Sequence, residues 1–223
     1  MHFVAIDFSL NSPGICTFNS KDERYTFISY LKAGTGTKKD QKIQEDFSAL
    51  KDSLYKEQPD FSNNGAYSSV EFTKIQRYLI TANDILELIE EVIPRDEDVI
   101  FAFEGTSFGS KQGTNNIIDM AAGAAILKLK ILEYFQVKTI ETVAPSTIKK
   151  HAGKGNMNKS DLWKVFLSNV NDDSNLAKSE TYQFCVGEIG ETTKVPKPFD
   201  DLVDAYFLNA YLQATFQHQG LKP

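Results

Sequence analysis

The chain has 223 residues, 41% of them hydrophobic and 24% charged, which is the ordinary make-up of a globular protein of one large domain. No run approaches the roughly 18 consecutive apolar residues of a membrane span, so the composition points away from the membrane. The net charge of −6 argues at first against a nucleic-acid partner, because phosphate binding favours a basic surface.

The distribution of charge weakens that objection. Residues 40–100 carry 14 acids against 6 lysines and arginines, so the remainder of the chain sums to +2. Between Pro145 and Lys164 there are five lysines against Asp161 alone. A basic face is therefore compatible with an acidic total. Cys16 and Cys185 stand far apart without a Cys-x-x-Cys or a histidine pair, which fits a reducing, cytoplasmic compartment better than a disulfide or zinc scaffold. The opening Met1-His2-Phe3-Val4-Ala5-Ile6 lacks the basic start of a signal peptide and reads as a first strand.

Three β-rich runs come first, at residues 3–8, 14–18 and 24–31, separated by Asn11-Ser12-Pro13-Gly14 and Asn19-Ser20-Lys21-Asp22. This turn chemistry predicts an antiparallel meander. A helix follows on Ile43, Phe47, Leu50 and Leu54, ended by Pro59. A second helix carries Ile75, Tyr78, Leu79, Ala82, Ile85, Leu86 and Ile89, opened by a Ser68–Glu71 capping box and closed by Pro94. Residues 98–104 predict a central strand, and a turn with Gly105, Gly109 and Gly113 leads to a helix at about 115–135. A strand at 138–143, a short helix capped by Ala144-Pro145-Ser146, and a helix at about 159–169 come next. Residues 170–197 read as a polar loop before a last helix from near Pro198. The order describes an α/β fold, a mixed five-stranded sheet flanked by helices, of which the ribonuclease H-like fold is one candidate.

Four acids fall where chemistry would want them. Asp7 and Glu104 each end an apolar strand just before a turn, while Asp201 and Asp204 share one helix face at i, i+3 spacing. An unpaired carboxylate among buried neighbours costs several kcal/mol. Singly, Asp7 is a turn former and the helical acids are residues favoured by the helix dipole, as Asp200 is. Converging, the four would repel one another until a divalent cation, or two about 4 Å apart, met their charge and brought phosphodiester chemistry with it. Mg2+ is the expected ion, two of them at the site, with Mn2+ as a substitute.

At these residues the chain resembles the RuvC-type Holliday junction resolvases. Ala5-Ile6-Asp7-Phe8-Ser9-Leu10-Asn11-Ser12-Pro13-Gly14 is similar to their opening Ile-Asp-Pro-Ser-Leu-x-x-Thr-Gly, with Phe8 in place of the proline and Pro13 in place of the threonine. Phe103-Glu104, followed by a loop and an Ala/Gly-rich helix, resembles the second acid of the family. Val143-Ala144-Pro145-Ser146-Thr147-Ile148-Lys149 and Asn158-Lys159-Ser160 are similar to its basic stretches, and Asp201-Leu202-Val203-Asp204-Ala205 to its closing Asp-x-x-Asp-Ala. The resemblance runs in order along the chain as a single domain, residues 1–223, apart from a helical insertion at about 58–95 and an expanded loop at about 170–197.

The resemblance implies a ribonuclease H-like nuclease that resolves four-way DNA junctions as a homodimer, by paired symmetric nicks. It also implies catalytic roles for Lys149 and Lys159 at the scissile phosphate, and base stacking by Phe108 in the glycine-rich loop. Lys111, Lys150, Lys154 and Lys164 are candidates for diffuse phosphate attraction. The small residues around 121–125 fit either a dimer contact or core packing. RNA–DNA hybrid, flap or precursor RNA is the alternative substrate. An actin-like ATP-binding protein would need a second Asp-Gly-x-Thr segment, which the chain lacks, and with all four acids present nothing points to a non-catalytic DNA-binding relative. Gly153-Lys154-Gly155-Asn156-Met157-Asn158-Lys159-Ser160 only superficially suggests a P-loop, since Asn158 stands where glycine is needed. His151 and His218 have no second histidine at ligand spacing.

Overall fold

The computed structural model describes residues 1–32, 34–59, 61, 67–105, 114–169 and 173–218. Strands β1 (His2–Asp7), β2 (Gly14–Asn19) and β3 (Arg24–Lys32) form the expected antiparallel meander. Helix α1 (Lys38–Ser48) is followed by β4 (Ser53–Gln58), then by α2 (Tyr67–Glu90) and β5 (Asp98–Glu104). Then come α3 (Thr114–Tyr134), β6 (Gln136–Val143), α4 (Pro145–Ala152) and α5 (Lys159–Ser168). A short α6 (Glu180–Phe184) precedes α7 (Phe199–His218).

The sheet has six strands in the order β4-β3-β2-β1-β5-β6, one more than the sequence predicts. The added strand is β4. Ile43, Phe47 and Leu50 do turn toward the core, but α1 stops at Ser48 and Leu54 belongs to β4, paired in parallel with β3. Apolar spacing alone cannot separate one long helix from a helix, a turn and a strand whose second residue happens to fall on the same step. Pairing decides it: β3 is buried along nearly its whole length, and without β4 its outer backbone groups would lack partners.

Strand alternation sorts the sheet residues onto two faces. Phe3, Ala5, Cys16, Ile100 and Ala102 join the core under α7, together with Phe47, Trp163, Phe166, Phe199 and Tyr206. Val4, Ile6, Ile15, Phe101 and Phe103 join the core under α2 and α3, with Ile85, Ile89, Leu127 and Ile131. Residues 67–90, inside the stretch expected as an insertion, thus form α2 and help cover one whole face. The described part of α2 begins at Tyr67, and the capping expected of Ser68 lies outside what the structure describes. The segment expected as a polar loop carries a 3₁₀ turn (Leu176–Lys178), α6 and a π turn (Cys185–Ile189), and buries Leu176, Tyr182 and Cys185. Three well-spaced apolar residues anchor that segment, too few for periodicity to announce it.

Candidate active site

The site begins with sheet register. Ile6 pairs with Phe103 across the parallel β1–β5 ladder, so the next residues, Asp7 and Glu104, end neighbouring strands at the same carboxyl edge. Both continue the parity of Ala5 and Ala102, which places them on the α7 side. In open α/β sheets that edge is where ligands bind.

Helix α7 brings the other acids, and two contacts set its height over the sheet. A Cβ on Gly14 would lie 2.5 Å from the backbone carbonyl of Asp201, so only glycine lets the first turn of α7 rest on the start of β2. Two turns further on, the wholly buried Asn209 amide donates to the carbonyls of Phe3 (2.9 Å) and Cys16 (2.8 Å), tying α7 to β1 and β2 together. Asn209 is absent from the sequence-based candidates, since a lone asparagine in a helix gives no signal of what lies opposite it.

These anchors bring Asp204 to the strand acids. Carboxylate oxygens of Asp7, Glu104 and Asp204 lie within 4.8 Å of one another, a spacing suited to one shared cation. Among the described residues, neither Asp7 nor Glu104 has a hydrogen-bond or ion-pair partner for its carboxylate. Burial pushes the Asp7 carboxyl well above the usual carboxylate range, and the charges of Glu104, Asp201 and Asp204 add to it. Burial, then the charge of Asp204, raises Glu104 to about 7 against the pull of Lys149 and Lys159. Asp204 is raised as well, by burial first. Three crowded acids of this kind form a hard-oxygen site for a divalent ion, which would return them to the charged form.

The remaining acids of α7 are met by lysines. Lys159, at the start of α5, donates to Asp200 (2.9 Å) and Asp201 (3.1 Å) and stands 3.4 Å from Asp204. Burial pulls its ammonium down, but Asp201, Asp200 and Asp204 together outweigh burial and raise it above the ordinary lysine range. Lys197 bonds the other oxygen of Asp201, with Asp200 at 3.1 Å and the Ser12 hydroxyl at 3.0 Å. Ser12 in turn donates to Asp201 at 2.5 Å. Asp201 therefore has both oxygens engaged, and it lies outside the group of three. Asp200 is indeed in the first turn of α7 but also belongs to this ion cluster. Lys197 and Ser12 escape a motif reading because each looks like loop punctuation. The i, i+4 spacing of Lys197 to Asp201 is the signal that was there to use.

No family model matches the chain, and no curated protein matches it. Solved structures do. T. thermophilus RuvC in complex with Holliday junction substrate superposes with a TM-score of 0.51 at 11% identity, over 99% of this chain and 97% of that one. The yeast mitochondrial Holliday junction resolvase Ydc2 gives a TM-score of 0.53 at 11% identity, over 97% of this chain and 80% of that one.

The fold is RuvC-like.

On this RuvC-like framework the remaining candidates fall around α4 and α5. Lys149 is half-buried on α4 and close enough to Glu104 for its charge to act there. Lys150, Lys154 and Lys164 are exposed, and the last two border a cleft of about 550 Å³ with Met157 and Val165. Phe108 and Lys111 lie outside the described residues. The stretch that imitates a P-loop is a turn between helices: Asn158 caps α5 in a reciprocal box with Asp161. Gly123 meets Phe8 and Leu10 within 3.0–3.2 Å of where a Cβ would stand, which is core packing, whereas Ala121 and Ala125 face outward. Cys16 and Cys185 are free and buried. Among the described residues no helix is long and apolar enough to cross a membrane.

Proposed function

We propose that the chain is a metal-dependent endonuclease that cuts branched DNA, with a four-way junction as its substrate. The observation that carries this reading is the meeting of Asp7, Glu104 and Asp204 at the carboxyl edge of β1 and β5, on a fold shared with two resolvases whose structures name Holliday junctions. Mg2+ is the ion we assign to these three acids, with Mn2+ able to replace it. A bound ion supplies Lewis acidity toward a phosphodiester oxygen and a more acidic water.

The side chains do the rest. Asp7 and Glu104 stand in a poorly solvated edge where burial and neighbouring acids penalise their charge, a penalty that a bound cation would relieve. Asp201 anchors Lys159 and Lys197, which place two ammoniums beside the phosphate position; Lys149 adds a third cation from α4. Lys150, Lys154 and Lys164 extend the contact to the DNA arms, and we assign Phe108 and Lys111, from the sequence alone, to the same contact.

Paired nicks call for two sites related by symmetry, and we assign a homodimer. Its support is an outward apolar stripe on α3, with Ile118, Leu129 and Leu132 each more than half exposed, next to Phe72, Ile75 and Leu79 of α2. Leu129→Lys with Leu132→Lys should yield a monomer in sedimentation, and an unchanged dimer would move the interface elsewhere.

The deciding experiment incubates the chain with labelled four-way junction, RNA–DNA hybrid, flap and linear duplex, with Mg2+ and with chelator. Cleavage of the junction that needs the ion and disappears in Asp7→Asn is expected. Undiminished junction cleavage by Asp7→Asn would overturn the site, and preferential cutting of hybrid or flap would overturn the substrate.

A further inference from the structure

The five acids of the site divide by what neutralises them. Asp200 and Asp201 face two ammoniums, Lys159 and Lys197, so that pair of charges is already balanced by the chain itself. Among the described residues Asp7 and Glu104 have no ion pair, only the longer-range pull of Lys159 on both and of Lys149 on Glu104, and Asp204 has Lys159 at 3.4 Å. Lys159 therefore stands as a fence between the two groups, bonded to Asp200 and Asp201 and 3.4 Å from Asp204.

The outer side of the fence is held by Lys197 and Ser12. Lys197 comes from the residues just before α7 and Ser12 from the turn between β1 and β2, so two separate segments converge on one carboxylate oxygen of Asp201. A second divalent ion bound through Asp201 would have to compete with Ser12, Lys197 and Lys159 for its oxygens. With its charge balanced and its lone pairs taken, Asp201 offers a cation little until these bonds are broken.

We infer that Lys197, supported by Ser12, is a positioning residue that keeps Asp201 out of the metal set, so that the free protein takes a single divalent ion, at Asp7, Glu104 and Asp204. The second cation position of the site is filled by ammonium. This rests on the metal-binding reading of those three acids and deepens it. An ammonium held there has a further consequence for substrate: a phosphate arriving at the site meets Lys159 and Lys197 already gathered, and their transfer from Asp201 to the phosphate frees the carboxylate.

Counting bound Mn2+ by the loss of its free electron-paramagnetic-resonance signal tests this without any cleavage assay. The wild-type chain should bind one Mn2+ in the absence of DNA. Lys197→Met should admit a second, at least about tenfold tighter than any second ion on the wild type, because a unit positive charge has been removed beside Asp200 and Asp201. Lys197→Arg should keep the count at one. Ser12→Ala, which removes a hydroxyl and no charge, should strengthen the second ion by a smaller factor and serves if Lys197→Met does not fold. One ion on Lys197→Met and unaltered binding on Ser12→Ala would overturn the inference while leaving the site reading intact. So would two ions on the wild type. A wild type that binds no Mn2+ would remove the site reading together with the inference.

Discussion

The acids carried by strands and the acids carried by α7 sit a few ångströms apart yet are placed by different forces. Asp7 and Glu104 are fixed by ladder register, since a slip of one residue in β1 or β5 would turn them to the opposite face and bury every wrong side chain with them. They have no ion-pair partners among the described residues, and burial together with the neighbouring acids raises their carboxyls. Asp200, Asp201 and Asp204 owe their position to how a helix is seated, through Gly14 and Asn209, and most of their charge is already met by Lys159 and Lys197. The strand acids supply the unmet demand for a cation, and the helix acids supply a reservoir of lysines.

The largest expected effect contrasts the two groups directly. Asp7→Asn or Glu104→Gln should lower the rate of junction cleavage by about a thousandfold. Asp201→Asn should lower it at least about ten times less, because it loosens two lysines and leaves the group of three in place. Equal losses in single-turnover cleavage would erase the distinction drawn here.

Seating can be attacked without touching an acid. Gly14→Ala forces a methyl group against the Asp201 carbonyl and should cost about 3 kcal/mol in urea unfolding, with loss of cleavage as α7 lifts. Asn209→Ala leaves the Phe3 and Cys16 carbonyls without their buried donor and should cost about 2 kcal/mol by the same measurement. Variants as stable as the parent would mean that α7 is held by its apolar face alone.

The smallest effect is in pH. Glu104 titrates at about 7 in the folded chain and near 4.5 when unfolded, so the folded state holds its proton more tightly. Its contribution to stability is fully present below about 4.5 and is lost as pH rises through about 7. The metal-free protein should therefore lose thermal stability between about pH 4.5 and 7, more than other titrations explain, and Glu104→Gln should flatten that slope. Mg2+ should flatten it too, by binding the charged form. A slope unchanged in Glu104→Gln would remove Glu104 as its cause.

How far the sequence could be read follows the same division. Asp7 and Glu104 were legible because strands alternate, and an acid closing an apolar run stands out against its neighbours. Asp201 and Asp204 were legible as a pair on one helix face, but nothing local says that Asp201 turns to lysines and Asp204 to the strands. Lys197, Ser12 and Asn209 act on partners at least 185 residues away or, for Lys197 and Asp201, across a helix start that looks like loop. Strand β4 hid for a related reason. Its assignment depends on the unpaired edge of β3, which is a property of the assembled sheet and not of residues 53–58.

The distance along the chain between the first strand and α7 has a consequence for synthesis. A ribosome makes the helix with Asp204 nearly 200 residues after Asp7, later than the other elements described here. Until that helix settles on Gly14, the growing polypeptide has two acids with no third. If the chain cuts nucleic acid as proposed, a partly made chain, or a fragment cut ahead of residue 199, would lack the third acid and should not cut.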